Sequence, residues 1–341
     1  MNLMAAHLMA THLMATTAFG WHLHGEKRRA QTLATLESSP FDRVRMAAFA
    51  TRCTLDELEE RVAELARIGV TAELVLLHPG DGLADLGAAV RYLEEVVPRL
   101  APHENVWWSL SSSPGDFPFL TEHDWVRLAH LVAEEDPGHH PLSITVEAGS
   151  PLLWRRAFTH GSVRARSPRD AWVRTRDHHL PVHMDMCGFE GDSHDPWHSL
   201  TAEEAVTMAW DGAVRRRNVT HGESYVDDDG LTWSEDGGTL AGAAVPRLAL
   251  LRSVVAGIPA EARYRDRDAP MLELPGEFYL EFCGEHRFPQ REYGVPAGRY
   301  EAEVIDTWEM TVTPLGVLEG EALTVPLPGT VGQAVRLRRL P

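Results

Sequence analysis

Residues 54–78 read TLDELEERVAELARIGVTAELVLLH, and this stretch decides the fold. In its first part, 54–69, apolar side chains recur at helical spacing. Thr54 is a good N-cap, Glu57 completes a capping box with it, and Gly69 closes the far end. Residues 72–78, AELVLLH, then form an almost unbroken apolar run, the pattern of a strand covered on both faces. A capped helix leading into a doubly buried strand is the repeating unit of a parallel sheet.

The unit recurs in both directions. Further strand-like runs are read at 16–20, 43–49, 105–110, 142–147, 181–186 and 218–223. Helical periodicity lies between them, as in EKRRAQTLATLESS (26–39), TEHDWVRLAHLVAEED (121–136) and TAEEAVTMAWDGAVRRR (201–217). The sixth unit, around 156–166, is the least sharply marked. About eight units over roughly 240 residues predict an α/β fold closed into a (β/α)8 TIM barrel. An open doubly wound sheet would usually carry a Gly-rich phosphate turn after its first strand, and no GxGxxG occurs there. Beyond about residue 260 the helical period stops. EFYLEFCG (277–284), GRYEAEVIDTWEMTVTP (298–314) and QAVRLRRL (333–340) alternate with period two, which predicts a small all-β sandwich. The expected division is an irregular tail over 1–15, a barrel over 16–260 and a sandwich over 269–341, with PAEARYRDRDAP (259–270) as the linker.

Composition narrows the function. With 32 Lys and Arg against 50 Asp and Glu, the net charge is −18. That disfavours nucleic acid and anionic membranes as partners, since both require clustered cations. Cys53, Cys187 and Cys283 form no closely spaced pair, a pattern that fits a reducing, cytoplasmic compartment. The N-terminal segment repeats HLMA at His7 and His12. It lacks the positive charge and uninterrupted apolar core of a secretory signal. Asn218 heads an N-x-T sequon, but on a strand expected to be buried, where glycosylation is not expected.

Five internal motifs carry a family resemblance: QTLATLESSPFDRVRM (31–46), NVWWSL (105–110), THGS (159–162), PVHMDMCGFEG (181–191) and THGESYV (220–226). In this order they resemble the apiosidase-like glycoside hydrolases, members of the clan of retaining (β/α)8 glycosidases, and the tail resembles the small β domain that follows such barrels. The resemblance implies an acid/base glutamate just after the fourth strand and a nucleophilic glutamate at the end of the seventh. In this chain Ser112 and Ser113 occupy the Asn-Glu positions after WWSL, and Met186 occupies the nucleophile position. A retaining glycosidase needs one carboxylic acid to protonate the leaving oxygen and a second carboxylate about 5 Å away to attack the anomeric carbon. Serine and methionine perform neither step.

Other carboxylates are therefore weighed as replacements. The catalytic candidates are Glu223, Glu190 and Asp185. Strand alternation predicts that Asp185, next to Met186, faces the helices. Glu147 and Asp116 are weaker candidates. For substrate binding, the expected residues are His78, Asp81, His160, His221, Glu223 and Trp233. The three histidines are read at or just after strand ends on one rim, with His22 and His24 following the first strand. Trp233 lies in DDDGLTWSEDGG (227–238), whose acids read as a solvated turn. Trp107, Trp108 and Trp197 are further rings, and one of Trp107 and Trp108 must face the helices. No metal or cofactor is predicted, because the histidine spacings form no local ligand motif. The expected partner is a small-molecule or oligosaccharide glycoside. Two functions follow: a degenerate glycosidase that binds a glycoside in the barrel mouth, or an active enzyme with relocated carboxylates, hydrolysing a glycoside or repurposed as a lyase, isomerase or cyclase. A purely structural protein is the bland third.

Overall fold

The computed structural model describes residues 14–178, 180–191, 199–222, 225–227, 230–232 and 237–341. The barrel strands are β1 (Ala15–Thr17), β2 (Arg43–Ala47), β3 (Thr71–Leu77), β4 (Val106–Ser111), β5 in two pieces (Leu142–Ser143 and Thr145–Glu147), β6 (Gly161–Arg164), β7 (Val182–Met186) and β8 (Arg217–Gly222). Every pairing among them is parallel. The first piece of β5 pairs with β4 and the second with β6. Ile144 alone separates the pieces, so the sheet closes into a barrel.

The helices form where local chemistry starts them. Helix α1 is Glu26–Ser38 and α2 is Leu55–Arg67, the latter with the Thr54–Glu57 capping box read from the sequence. Next come α3 (Leu86–Leu100), α4 (Glu122–Glu135), α5 (Pro168–Thr175), α6 (Ala202–Val214) and α7 (Ala244–Val255). Helices α4 and α6 repeat the box with Thr121–Asp124 and Thr201–Glu204. Among the described residues, no helix is long and apolar enough to cross a membrane.

Strand alternation sorts the side chains into two environments. Val44, Met46, Leu74, Leu76, Trp108, Leu110, Val163, Val182 and Met184 join the apolar layer beneath the helices. Between them, Arg43, Arg45, Glu73, Ser109, Ser143, Thr145, Ser162, His183 and Asp185 are buried in the barrel lumen. The lumen is thus polar.

The C-terminal β domain is one antiparallel sheet, ordered β9–β10–β11–β14–β12–β13. Its strands are β9 (Arg263–Arg265), β10 (Met271–Leu274), β11 (Phe278–Phe282), β12 (Gln290–Asp306), β13 (Thr311–Pro326) and β14 (Gln333–Arg339). Strand β9 lies within the stretch read as a linker, which therefore contributes an edge strand. Phe278, Leu280 and Phe282 pack on α6 and α7, with Trp210 stacked against Phe282. The long β12–β13 ribbon shifts register between Gly294 and Gly298. Tyr293, Val295, Leu323 and Val325 on its outer half then share a second core with Met271, Tyr279, Val335 and Leu337. Apolar side chains on both faces of this sheet give the sandwich its thickness.

Candidate functional site

The lumen is built around two arginines and two carboxylates. Arg43 Nη1 lies 2.6 Å and Arg45 Nε 2.9 Å from the Glu73 carboxylate. Arg43 Nη2 lies 3.3 Å from Asp185 Oδ1. Ser162 and Thr220 hydroxyls donate to Asp185, each at 2.6 Å. Arg45 also donates to the Asp185 backbone oxygen at 3.0 Å and to Thr145 Oγ1 at 2.9 Å. Burial would raise the Asp185 carboxyl, but Arg45 and Arg43 outweigh it and hold the group well below the usual carboxylate range. Deeper, the rings of His160 and His183 lie 5.2 Å apart, with Trp107 beside both and the Arg43 guanidinium 4.9 Å from the Trp107 ring. Burial first, then Arg43, pushes the His160 imidazolium down to about 3, and His183 is lowered for the same reasons. Both rings are neutral at physiological pH, so the lumen's two positive and two negative charges cancel.

Asp185 corrects a sequence expectation, since it faces the lumen and not the helices. Register with β6 steps from Val163–Met184 to Arg164–Met186 and leaves Asp185 as an extra residue. Asp185 continues the alternation of His183 toward the lumen and Met184 toward the helices, so its direction is set by the strand before the register shift. The Met186 side chain lies outside what is described.

The C-terminal mouth is where barrel sites are built. Ser113 lies just past the end of β4, and its amide donates to Ser111 Oγ at 3.1 Å. Arg164, the last residue of β6, reaches over β5 to donate from Nη2 to Ser113 Oγ at 3.2 Å and to the Ser112 carbonyl at 3.3 Å. Its Nε lies 3.8 Å from Glu147. Pro114–Asp116 forms a 3-10 turn that carries the chain away and holds Asp116. On the far side, the Phe189 ring lies against Gly222, where a Cβ would come within 2.2 Å of the ring. Only glycine leaves room for that ring at the end of β8.

On the side of β1 to β3, His78 follows β3 with its ring against Phe19 and Phe49. Its Nδ1 is 2.8 Å from the Pro79 carbonyl, and its amide donates to Asp81 at 3.0 Å. Asp81 is buried, and burial raises its carboxyl. His22 stacks on Phe49. Burial, then Arg61 and Arg52, holds it neutral, with a pKa near 3.

The rim of histidines expected from the sequence is dispersed. Of His78, His160 and His221, His78 alone stands at the mouth. His160 precedes β6 and lies at the opposite end of the lumen, because THGS opens a strand instead of ending one. His221 is in register with Thr16 and faces outward; it stacks on Phe41 and lies 3.0 Å from Glu190. Glu190 accepts from the Ala244 amide at 2.9 Å, at the first turn of α7. Both residues are buried outside the barrel, where the carboxylate meets the positive end of a helix. Trp108 also faces outward, donating to Asp136, whereas Trp107 faces the lumen. Glu223, Trp233, Trp197, Asp228, Asp229 and the N-terminal histidines His7 and His12 lie outside the described residues. Tyr225–Asp227 pairs with Gly230–Thr232 as an antiparallel hairpin. Sequence reading missed Arg164 and Phe189. Their only signal was position, at or just beyond the C-terminal end of a strand.

A family model described as a domain of unknown function (DUF5605) matches residues 267–338, most of the β domain. No curated protein matches the chain. Among solved structures, one from Bacteroides vulgatus assigned to the glycoside hydrolases shares 24% identity at a TM-score of 0.85, over 96% of this chain and 78% of that one. A glycoside hydrolase family 5 structure from the same organism shares 12% identity at a TM-score of 0.78, over 96% and 89%. An endo-beta-1,4-mannanase from Thermotoga petrophila shares 10% at 0.58, over 96% and 98%. These likenesses show the fold, a barrel with a C-terminal β domain, shared with glycoside hydrolases.

Proposed function

We propose that this chain is a degenerate relative of the retaining barrel glycosidases, of apiosidase-like type, which binds a glycoside in the barrel mouth without hydrolysing it. One observation carries the reading. Arg164 donates to Ser113, at the expected acid/base position, and is in register with Met186, at the expected nucleophile position. The strand neighbour of the expected nucleophile position thus sets a guanidinium at the expected acid/base position, where the mechanism needs a carboxyl group. The nearby carboxylates support the same reading. Asp185 is enclosed by Arg43, Ser162 and Thr220, and Glu190 is bound to His221 and a helix start.

In this reading His78, Asp81 and Phe189 line the binding side, with Glu223 and Trp233 as further proposed contacts. The barrel over 16–260 and the β domain over 269–341 act as one unit. The three unpaired cysteines fit a cytoplasmic setting. A second reading, hydrolysis by relocated carboxylates, draws on Glu147 beside Arg164 and on Glu223.

The test is the wild-type protein against a broad panel of chromogenic aryl glycosides, with binding and turnover measured together. Binding without retaining hydrolysis is expected. Robust turnover that disappears in Glu223→Gln would overturn the degenerate reading and establish a catalytic apparatus rebuilt around β8.

A further inference from the structure

Resting on the glycoside reading, we infer that Arg164 anchors an anionic group, so that the mouth selects a sugar bearing one carboxylate or sulfate. The guanidinium reaches along the rim from β6, over β5, to the loop after β4, and two bonds through Nη2 fix its orientation. Nε is too far from Glu147, at 3.8 Å, for a hydrogen bond, and the side chain is 35% exposed. Glu147 is itself 72% exposed, and an ion pair that open to water contributes little and is readily exchanged for a ligand. Among the described residues of the lumen, Glu73 and Asp185 are already paired with Arg43 and Arg45, so neither carboxylate is left over for Arg164. His22, across the mouth, is neutral.

A planar fork, with Nη1 unbonded among the described residues and a side chain 35% exposed, matches the paired oxygens of a carboxylate or sulfate. The net charge of −18 sets the size of the ligand. Such a surface repels a long polyanion far more strongly than it repels one negative charge on a small sugar.

The experiment measures binding of matched pairs by calorimetry. These are 4-nitrophenyl β-glucuronide against the β-glucoside, and a 4-nitrophenyl β-galactoside 6-sulfate against its unsulfated parent. The wild type is expected to prefer the anionic member about tenfold or more, since hydrogen bonds to charged groups are the stronger kind. Preference in the first pair alone identifies a carboxylate, in the second alone a sulfate, and each supports the anchor. In Arg164→Gln the preference is expected to collapse. Arg164→Lys keeps the charge but loses the fork, and is expected to keep part of it, which gives a readout even if the glutamine variant does not fold. Equal binding within both pairs, or a preference that survives in Arg164→Gln, overturns the anchor alone. Binding of no glycoside in the wider panel overturns the glycoside reading, and the anchor with it.

Discussion

The lower lumen and the mouth are two storeys of one barrel, built from the same strands and opposite in design. Below, Arg43 and Arg45 meet Glu73 and Asp185, and Thr145, Ser162 and Thr220 add hydrogen bonds to Arg45 and to Asp185. Above, Arg164 meets two serine positions and an exposed glutamate. The difference is one of closure. A buried charge must find its partner within the protein, because leaving it unpaired costs several kcal/mol. A charge at the rim can leave its partner to be supplied by a ligand. The lower storey holds the barrel together, and the upper one is available for recognition.

The comparison breaks most directly at Arg45. Arg45→Met leaves Asp185 and Glu73 to share Arg43, and is expected to cost about 3–5 kcal/mol. Arg164→Gln, at the rim, is expected to cost less than about 1 kcal/mol. Denaturant unfolding of both variants checks this, and equal costs would erase the distinction between the storeys.

Acid should strain the lower storey next. His160 and His183 are neutral in the folded protein and titrate near 6.5 when unfolded. Below 6.5 the unfolded chain binds more protons, so stability falls as pH falls. Between pH 7 and 5.5 the loss is about 1.4 kcal/mol per histidine. Asp185, depressed in the folded state, adds its own loss only below about 3.8. Thermal unfolding across this range should show the decline, with a shallower slope in His160→Gln. A flat profile down to pH 5 would mean the histidines are not sealed from protons.

The smallest effect sharpens the account of the mouth. Ser113→Glu with Met186→Glu is expected to restore only weak hydrolysis. A carboxyl at 113 would meet Arg164, which lowers its pKa and unfits it as a general acid near neutral pH. Adding Arg164→Gln should raise the restored rate about tenfold, roughly 1.4 kcal/mol in barrier. Steady-state rates on an aryl glycoside decide it, and no gain from the third change would acquit Arg164.

The order of elements was written in the sequence. Capping boxes at Thr54, Thr121 and Thr201, apolar runs such as residues 72–78, and the change to period two beyond residue 260 are local signals, because hydrogen-bond geometry and side-chain alternation act over a few residues. The serine and methionine at the expected catalytic positions were legible for the same reason, through motifs fixed in register. What each strand-end residue faces was not legible. His221 and Glu190 met outside the barrel, His160 lay at the end opposite the mouth, and Asp185 faced the lumen with His183. Only the closure of the sheet brings Arg43, Glu73 and Asp185 into one lumen and carries Arg164 across to Ser113. These are contacts between strands far apart in the chain, whose sign and register depend on how the whole barrel closes.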